Sequence, residues 1–514
     1  MDSVDRRFSF LPASPDTRLL LQNVALLAPE ETGGLLFGQD ILIVGKRIGT
    51  VAPHGTLALD PAPGLTLRDC EGRLAIPGLI NAHTHSPENI LKATSPALPL
   101  ELWLVPLFAG IEEWTPRLVY LSALLGAVEM LKSGTTAVLD HLWTPDGVAS
   151  SYLDAAMQAY YDVGIRASVA PSIENQDLVQ QAALRHGLAF PAHPFVDRFS
   201  SWLDIDSQLA NLERFFETWH MADHGRLRCL AAPSGIHWCS PALLDACLDL
   251  AQRYQTGIHL HAVETELQAH VIRTMLGQGG IAYLETRGYL RPGTSLAHAI
   301  WLESGDLERL ATHGATVVHN PISNLRLGSG RFPFTRARQL GVSVALGSDG
   351  SASNDNQNMF EVLKLTGLLH NQPGEDYRQW PAAAEILAAA TRGGAEALGL
   401  PHDLGRIAPG QLADLVLLDL RASAFLPLRD PFLHLVYCET GNSVRTVIVD
   451  GKIVVEHGTI CSIHEEDVRQ EIRERCSTTW PGFPALRERI PHTEEVQATF
   501  EALRQLIRAG EETL

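Results

Sequence analysis

LAIPGLINAHTH, residues 74–85, is an apolar run that ends in two histidines spaced two apart. Alternation along a strand sends His83 and His85 to the same face, where both imidazoles can share one ion. An HxH pair alone is a weak signal, because the chain has 21 histidines and such pairs also arise in ordinary packing. Seven later runs give it weight. TTAVLDH (135–141), RASVAPS (166–172), RLRCLAAPS (226–234), TGIHLHAVE (256–264), TSLAHAI (294–300), ATVVHNP (315–321) and VSVALGSD (342–349) are also short and apolar, separated by longer helical patterns. That alternation predicts parallel βα units, and eight such strands predict an α/β fold, a closed (β/α)8 TIM barrel. In such barrels the chemistry sits at the C-terminal ends of the strands.

Outward from this core the pattern changes. LLLQNVALLA (19–28) and DILIVGKRIGTVA (40–52) read as short β segments broken by Gly, and similar segments return only at the other end, in ADLVLLDL (413–420) and VRTVIVDGKIVVEHG (444–458). Asp450-Gly451 marks a hairpin turn. The expected organisation is a small β-sandwich domain built from residues 1–75 and 405–462, the barrel at 76–404, and a helical tail at 463–514. EVQATFEALRQLIRAG (495–510) is amphipathic and predicts a helix packed on the outside or across a subunit interface.

A net charge of −19 spread over the chain argues against nucleic acid, anionic membranes and polyphosphates as partners. Seven scattered cysteines with no CxxC pair read as buried thiols of a reducing compartment. MDSVDRRFSF at the start lacks the apolar core of a signal peptide, so a cytoplasmic location is expected. Symmetric assembly, a homodimer or tetramer, is expected on general grounds.

The ends of the later strands carry the chemistry. His261 and Glu264 close HLHAVE, His298 closes SLAHAI, and Asp349 lies in LGSDG. A barrel brings such ends to one point. Imidazoles with one carboxylate suit a divalent ion such as zinc or ferrous iron and leave a position for water. Leaving these apolar-flanked polar residues unpaired would be costly.

PGLINAHTHSPENIL, EMLKSGTTAVLDH, HLHAVETE, LAHAIWL, VVHNPISNLRLGSG and ALGSDGSASN resemble the successive motifs of the cytosine deaminase and chlorohydrolase branch of the amidohydrolase superfamily, over residues 18–460. The flanking GRIAPGQLADLVLLD and VRTVIVDGKIV are similar to segments of its sandwich domain. The resemblance implies that His83, His85, His261 and Asp349 ligate the metal, that Glu264 shuttles protons, and that His298 holds or deprotonates the attacking water. Two-metal relatives commonly use a bridging lysine, and no lysine lies between Lys132 and Lys364, so one divalent ion per subunit is expected, Zn2+ with Fe2+ as the alternative.

Further candidates for substrate contact are Trp103 in ELWLVP, His141 in VLDHLW, His237 in IHWCS, and His319, Asn320 and Asn324 after the seventh strand. Each has a plainer reading in packing, the surroundings of the metal, or turn structure. His259 reads as core packing. Nucleoside-deaminating relatives often carry Pro-His at the end of the fourth strand, whereas here Ser234 follows Pro233. That departure favours a pterin, oxidised purine, pyrimidine or triazine. The expected activity is hydrolytic deamination of an amino-substituted N-heterocycle; the alternatives are amide, urea or carbamate hydrolysis, triazine dechlorination by the same site, or a non-catalytic assembly protein.

Overall fold

The computed structural model describes residues 17–28, 34–57, 64–108, 114–145, 148–188, 204–479 and 493–509. The N-terminal stretch MDSVDRRFSF lies outside them. Eight parallel strands run in two sets of four: β6 (Leu79–Thr84), β7 (Thr135–Leu142), β8 (Arg166–Pro171) and β9 (Leu227–Cys229), then β10 (Ile258–Ala262), β11 (Thr294–His298), β12 (Thr316–His319) and β13 (Ser343–Leu346). Both faces of these strands are covered, which is why they read as continuous apolar runs rather than alternating ones.

The two sets join at both seams. Parallel bridges Ala231 to Ile258 and Gly235 to His261 link β9 to β10. On the other side the Asp349 amide donates to His83 O at 2.9 Å, and the Ser348 amide donates to Asn81 Oδ1 at 3.0 Å. The closing bonds of the barrel therefore fall on residues flanking the candidate ligands.

Both ends of the chain contribute to one nine-stranded sheet. It contains β1 (Arg18–Leu27), β2 (Leu35–Val44), β3 (Arg47–Pro53), β4 (Leu65–Asp69) and β5 (Arg73–Pro77) from the start, and β14 (Leu415–Asp419), β15 (Val444–Val449), β16 (Lys452–Glu456) and β17 (Thr459–Ile460) from the end. The sheet branches at β1, which pairs with β2 on one edge and with β4 and then β5 on the other. β5 meets β14 antiparallel, so the strand entering the barrel lies beside the strand leaving it. Asp450 and Gly451 both take positive φ, 52° and 78°, and form the tight turn between β15 and β16.

A buried ion cluster ties this sheet to the barrel. Arg166 at the start of β8 donates from Nε to Asp414 Oδ2 at 2.7 Å and from Nη2 to Asp414 Oδ1 at 2.9 Å, and it also reaches Asp450. Its side chain is 2% exposed.

One expectation needs adjustment. Cys70, Cys229, Cys239 and Cys247 are buried, but Cys438 and Cys461 are exposed and Cys476 is half-buried, because these three lie after the barrel, where elements have one face on solvent. The tail helix Thr493–Ala509 packs against the helices Leu178–Arg185 and Glu266–Leu276, which belong to the barrel of its own chain. No helix among the described residues is long and apolar enough to cross a membrane.

Candidate active site

Four side chains from three strand ends converge. His83 Nε2 and His85 Nε2 each lie 3.4 Å from Asp349 Oδ1, and His261 Nε2 lies 3.3 Å from His85 Nε2. Two ligands bound to one ion at about 2.0–2.1 Å in tetrahedral geometry stand about 3.3–3.4 Å apart. The spacing is that of an ion's coordination edges. His83 Nε2 is buried and makes no hydrogen bond, as a ligand atom facing a cation would be. Burial, opposed by Asp349, lowers the His83 pKa to about 4, so the ring is neutral at pH 7.

In each of these three candidate imidazoles, Nδ1 is committed elsewhere, which turns Nε2 to the common point. His83 Nδ1 donates to His259 Nε2 at 2.8 Å, and His259 Nδ1 donates to Ser295 Oγ at 2.7 Å. His85 Nδ1 donates to His141 O and His261 Nδ1 to Ser234 O, both at 2.6 Å. These contacts fix tautomer and ring orientation together. Burial pushes the Asp349 carboxyl up, but His83, His298 and His85 outweigh it and hold the group well below its ordinary value. Asp349 also sits at φ 69°, a left-handed conformation uncommon for a residue with a side chain, and the Gly350 amide donates to its Oδ1 at 2.8 Å.

Glu264 and His298 stand beside this group. His298 Nε2 is 3.7 Å from Glu264 Oε2 and 3.8 Å from Asp349 Oδ2, while its Nδ1 donates to Asn324 Oδ1 at 2.8 Å. Ser329 Oγ donates to Glu264 Oε1 at 3.2 Å. Burial, opposed by His298 and reinforced by Asp349 and Glu101, raises the Glu264 pKa to about 7. A carboxyl poised near neutrality can both take and give a proton.

His85, Glu264, His298 and Asp349 form part of the wall of one cavity, about 1380 Å³ including its open mouth. Its apolar side is Leu100, Trp103, Leu104, Leu107 and Phe108, with Trp143 and Trp238. Polar wall residues include Ser172, Glu174, Asp177, Gln208 and Ser234. Glu88, three residues past His85, is a wall residue that sequence reasoning missed; HSPEN held the signal. Its carboxylate accepts from Trp143 Nε1 at 3.4 Å, and burial raises its pKa to about 7. A Cβ on Gly350 would fall 1.9 Å from Glu88 Oε2, so only glycine allows this approach.

The substrate-contact candidates divide. Trp103 lines the cavity, 4% exposed, with an unpartnered indole N–H. His141 lies behind the ligand layer, stacked on His261 with ring centroids 4.6 Å apart. His237 is buried against Trp238, which takes the wall position instead. His319 pairs with His370 at 3.2 Å beside Phe332. Asn324 and Asn320 face His298 Nδ1 rather than the cavity. His259, expected as packing, orients a candidate ligand; the HLH alternation placed it one layer beneath His261, but only the fold shows which ring it holds.

The Amidohydrolase family profile matches residues 74–454. The 5-methylthioadenosine/S-adenosylhomocysteine deaminase of Pelotomaculum thermopropionicum is 32% identical over 458 residues, 89% of this chain and 98% of that protein. The 5'-deoxyadenosine deaminase of Methanothermobacter thermautotrophicus is 32% identical over 464 residues, 90% and 99% of the two chains. Among solved structures, atrazine chlorohydrolase from Arthrobacter aurescens complexed with zinc superposes with TM-score 0.79 at 27% identity, covering 89% of this chain and 99% of that one. An adenosine deaminase from Xanthomonas campestris with bound zinc gives TM-score 0.77 at 26% identity, covering 91% and 99%. Family profile, full-length relatives and barrel architecture coincide, and the chain belongs to the amidohydrolase family.

Proposed function

We propose that this chain hydrolytically releases ammonia from an amino-substituted N-heterocycle, and that its substrate is an adenosine derivative altered at the 5′ position. The observation that carries the reading is the 3.3–3.4 Å contacts that link His83 and His85 to Asp349 and His261 to His85, beside the buried carboxyl of Glu264. The names of the full-length relatives favour a 5′-altered adenosine over the pterin, oxidised purine, pyrimidine or triazine also considered. Ser234, whose place a histidine often takes in nucleoside-deaminating relatives, counts against this choice; it is joined to Ser172 through their hydroxyls at 2.6 Å, and both stand at the cavity wall.

In this reading His83, His85, His261 and Asp349 hold one Zn2+, with Fe2+ as the alternative. Such a cation, when bound, lowers the pKa of water toward neutrality. Glu264 takes the proton from the attacking water and delivers it to the ring nitrogen next to the carbon that bears the amine. His298 Nε2 hydrogen-bonds the attacking oxygen, held in place by Asn324. The new C–O bond forms, a second proton reaches the amine through Glu264 or Asp349, the C–N bond breaks and ammonia leaves. Trp103 and the apolar wall keep bulk water from the ring.

The test is ammonia release from 5′-deoxyadenosine, 5′-methylthioadenosine and S-adenosylhomocysteine. At least one is expected to turn over, and Glu264→Gln is expected to reduce that turnover about 10³-fold with metal content intact. Normal ammonia release by the variant would reject the role of Glu264. The likeness to the chlorohydrolase supports a second reading, dechlorination of a triazine, which chloride release from atrazine without ammonia from any adenosine would establish. Less than about half a metal ion per chain after metal-supplemented expression would favour a non-catalytic protein. Homo-oligomerisation belongs to the proposal and is read by light scattering.

A further inference from the structure

The family match ends at residue 454, yet the helix Thr493–Ala509 reaches the substrate cavity. Its apolar residues Val496, Phe500, Leu503 and Ile507 recur every three or four positions and so share one face. Phe500 and Leu503, 6% and 1% exposed, are sunk among Leu178, Val179, Leu267 and Val271. Those partners belong to the helices that follow β8 and β10, whose first turns adjoin the cavity residues Asp177 and Glu264. The anchor is thus attached to two elements that themselves shape the site. Arg504 lies 5.5 Å over the Phe500 ring, and both residues border the cleft that includes Glu101, a wall residue of the cavity. One turn before this anchor, half-buried Val496 is itself part of the cavity wall.

The geometry points to Val496 as a specificity-determining residue: the C-terminal helix is a fixed wall of the pocket that limits the size of the group a substrate carries away from the departing amine. This inference rests on the deaminase reading. It assigns to a segment beyond the family match a part in choosing among substrates that share one reacting ring. A wall of this kind discriminates by volume, so it acts on the ratio between a large and a small substrate rather than on the chemical step.

The experiment compares kcat/KM for S-adenosylhomocysteine and 5′-deoxyadenosine, which differ only in the 5′ substituent, in the wild type, in Val496→Trp and in Val496→Ala, with metal content as a control. The large-to-small ratio is expected to drop about 10-fold in Val496→Trp and to rise about 3-fold in Val496→Ala. A chain ending at Thr479 is expected to raise the ratio further; if its loss of Phe500 and Leu503 prevents folding, the two point variants decide alone. A ratio within about twofold of the wild type in both overturns the inference. Should the wild type deaminate neither of these nor 5′-methylthioadenosine, the adenosine reading fails, and the wall is tested with the same thresholds on the ring amine the wild type does deaminate, with and without an alkyl substituent.

Discussion

At the strand ends, each imidazole that faces the candidate cation position is aimed by a directional bond: His83 by His259, His85 by the carbonyl of His141, His261 by the carbonyl of Ser234. The wall of the cavity around them is held differently. Leu100, Leu104, Leu107 and Phe108 come from the stretch between β6 and the helix Pro116–Lys132 and are held by apolar contact, and Val496 comes from the far end of the chain, on a helix anchored by Phe500 and Leu503. Hydrogen bonds to a barrel backbone fix angle and tautomer within narrow limits, whereas apolar packing tolerates exchange of similar volumes. The candidate reacting centre and the cavity wall are therefore held by separable parts, and changes in the two are expected to be felt in different quantities.

The sharpest break belongs to the ligand layer. Asp349→Ala removes the only carboxylate of the converging group and is expected to abolish stoichiometric metal binding, with turnover falling roughly 10³–10⁴-fold; elemental analysis and ammonia release read both, and a variant that keeps a full metal complement would refute the ligand assignment. A step outward, His259→Phe keeps the ring's volume and removes its acceptor for His83. Metal affinity is expected to weaken about 10–100-fold, measured by competition with a chelator, while substrate KM at saturating metal stays near the wild-type value.

Glu264 gives a pH signature. Its carboxyl is raised by burial from 4.5 to about 7 and must be ionised to accept the proton of water, so activity is lost as pH falls through that pKa. A bound cation pulls the value back down. The acid limb of kcat/KM is thus expected between 4.5 and about 7, and a midpoint below that window would contradict the burial argument. The smallest effect belongs to the wall: Leu104→Ala should raise KM about 3- to 10-fold, with kcat and metal content little changed. A loss of metal there would show that the two parts are coupled after all.

The same division explains what could be read from the sequence. Strand ends advertise themselves, because apolar runs stop at a polar residue and the order of runs fixes the order of ends around a barrel. That His83, His85, His261, Glu264, His298 and Asp349 would come together was legible for that reason. Asn324 was visible as a loop residue, but its partner His298 lies 26 positions away and no spacing rule connects them. Glu88, Trp143, Trp238 and Val496 were not found, since a wall drawn from loops and a terminal helix has no shared period. The stripe through Phe500 and Leu503 announced a helix with one face to bury, while the surface that receives it is defined only once β8 and β10 lie side by side with their helices in place.

Arg166 carries a consequence for how the chain is made. Its guanidinium enters the third strand of the barrel, but the carboxylates that neutralise it, Asp414 and Asp450, are 248 and 284 residues downstream. An unpaired buried cation costs several kcal/mol. A barrel closed before residues 414–450 are made would hold that guanidinium without either carboxylate, so final packing of this face is expected to wait for them. Completion of the fold is thereby timed to follow synthesis of both acidic partners, and a chain released before Asp450 should be caught by proteases rather than accumulate as a half-built enzyme.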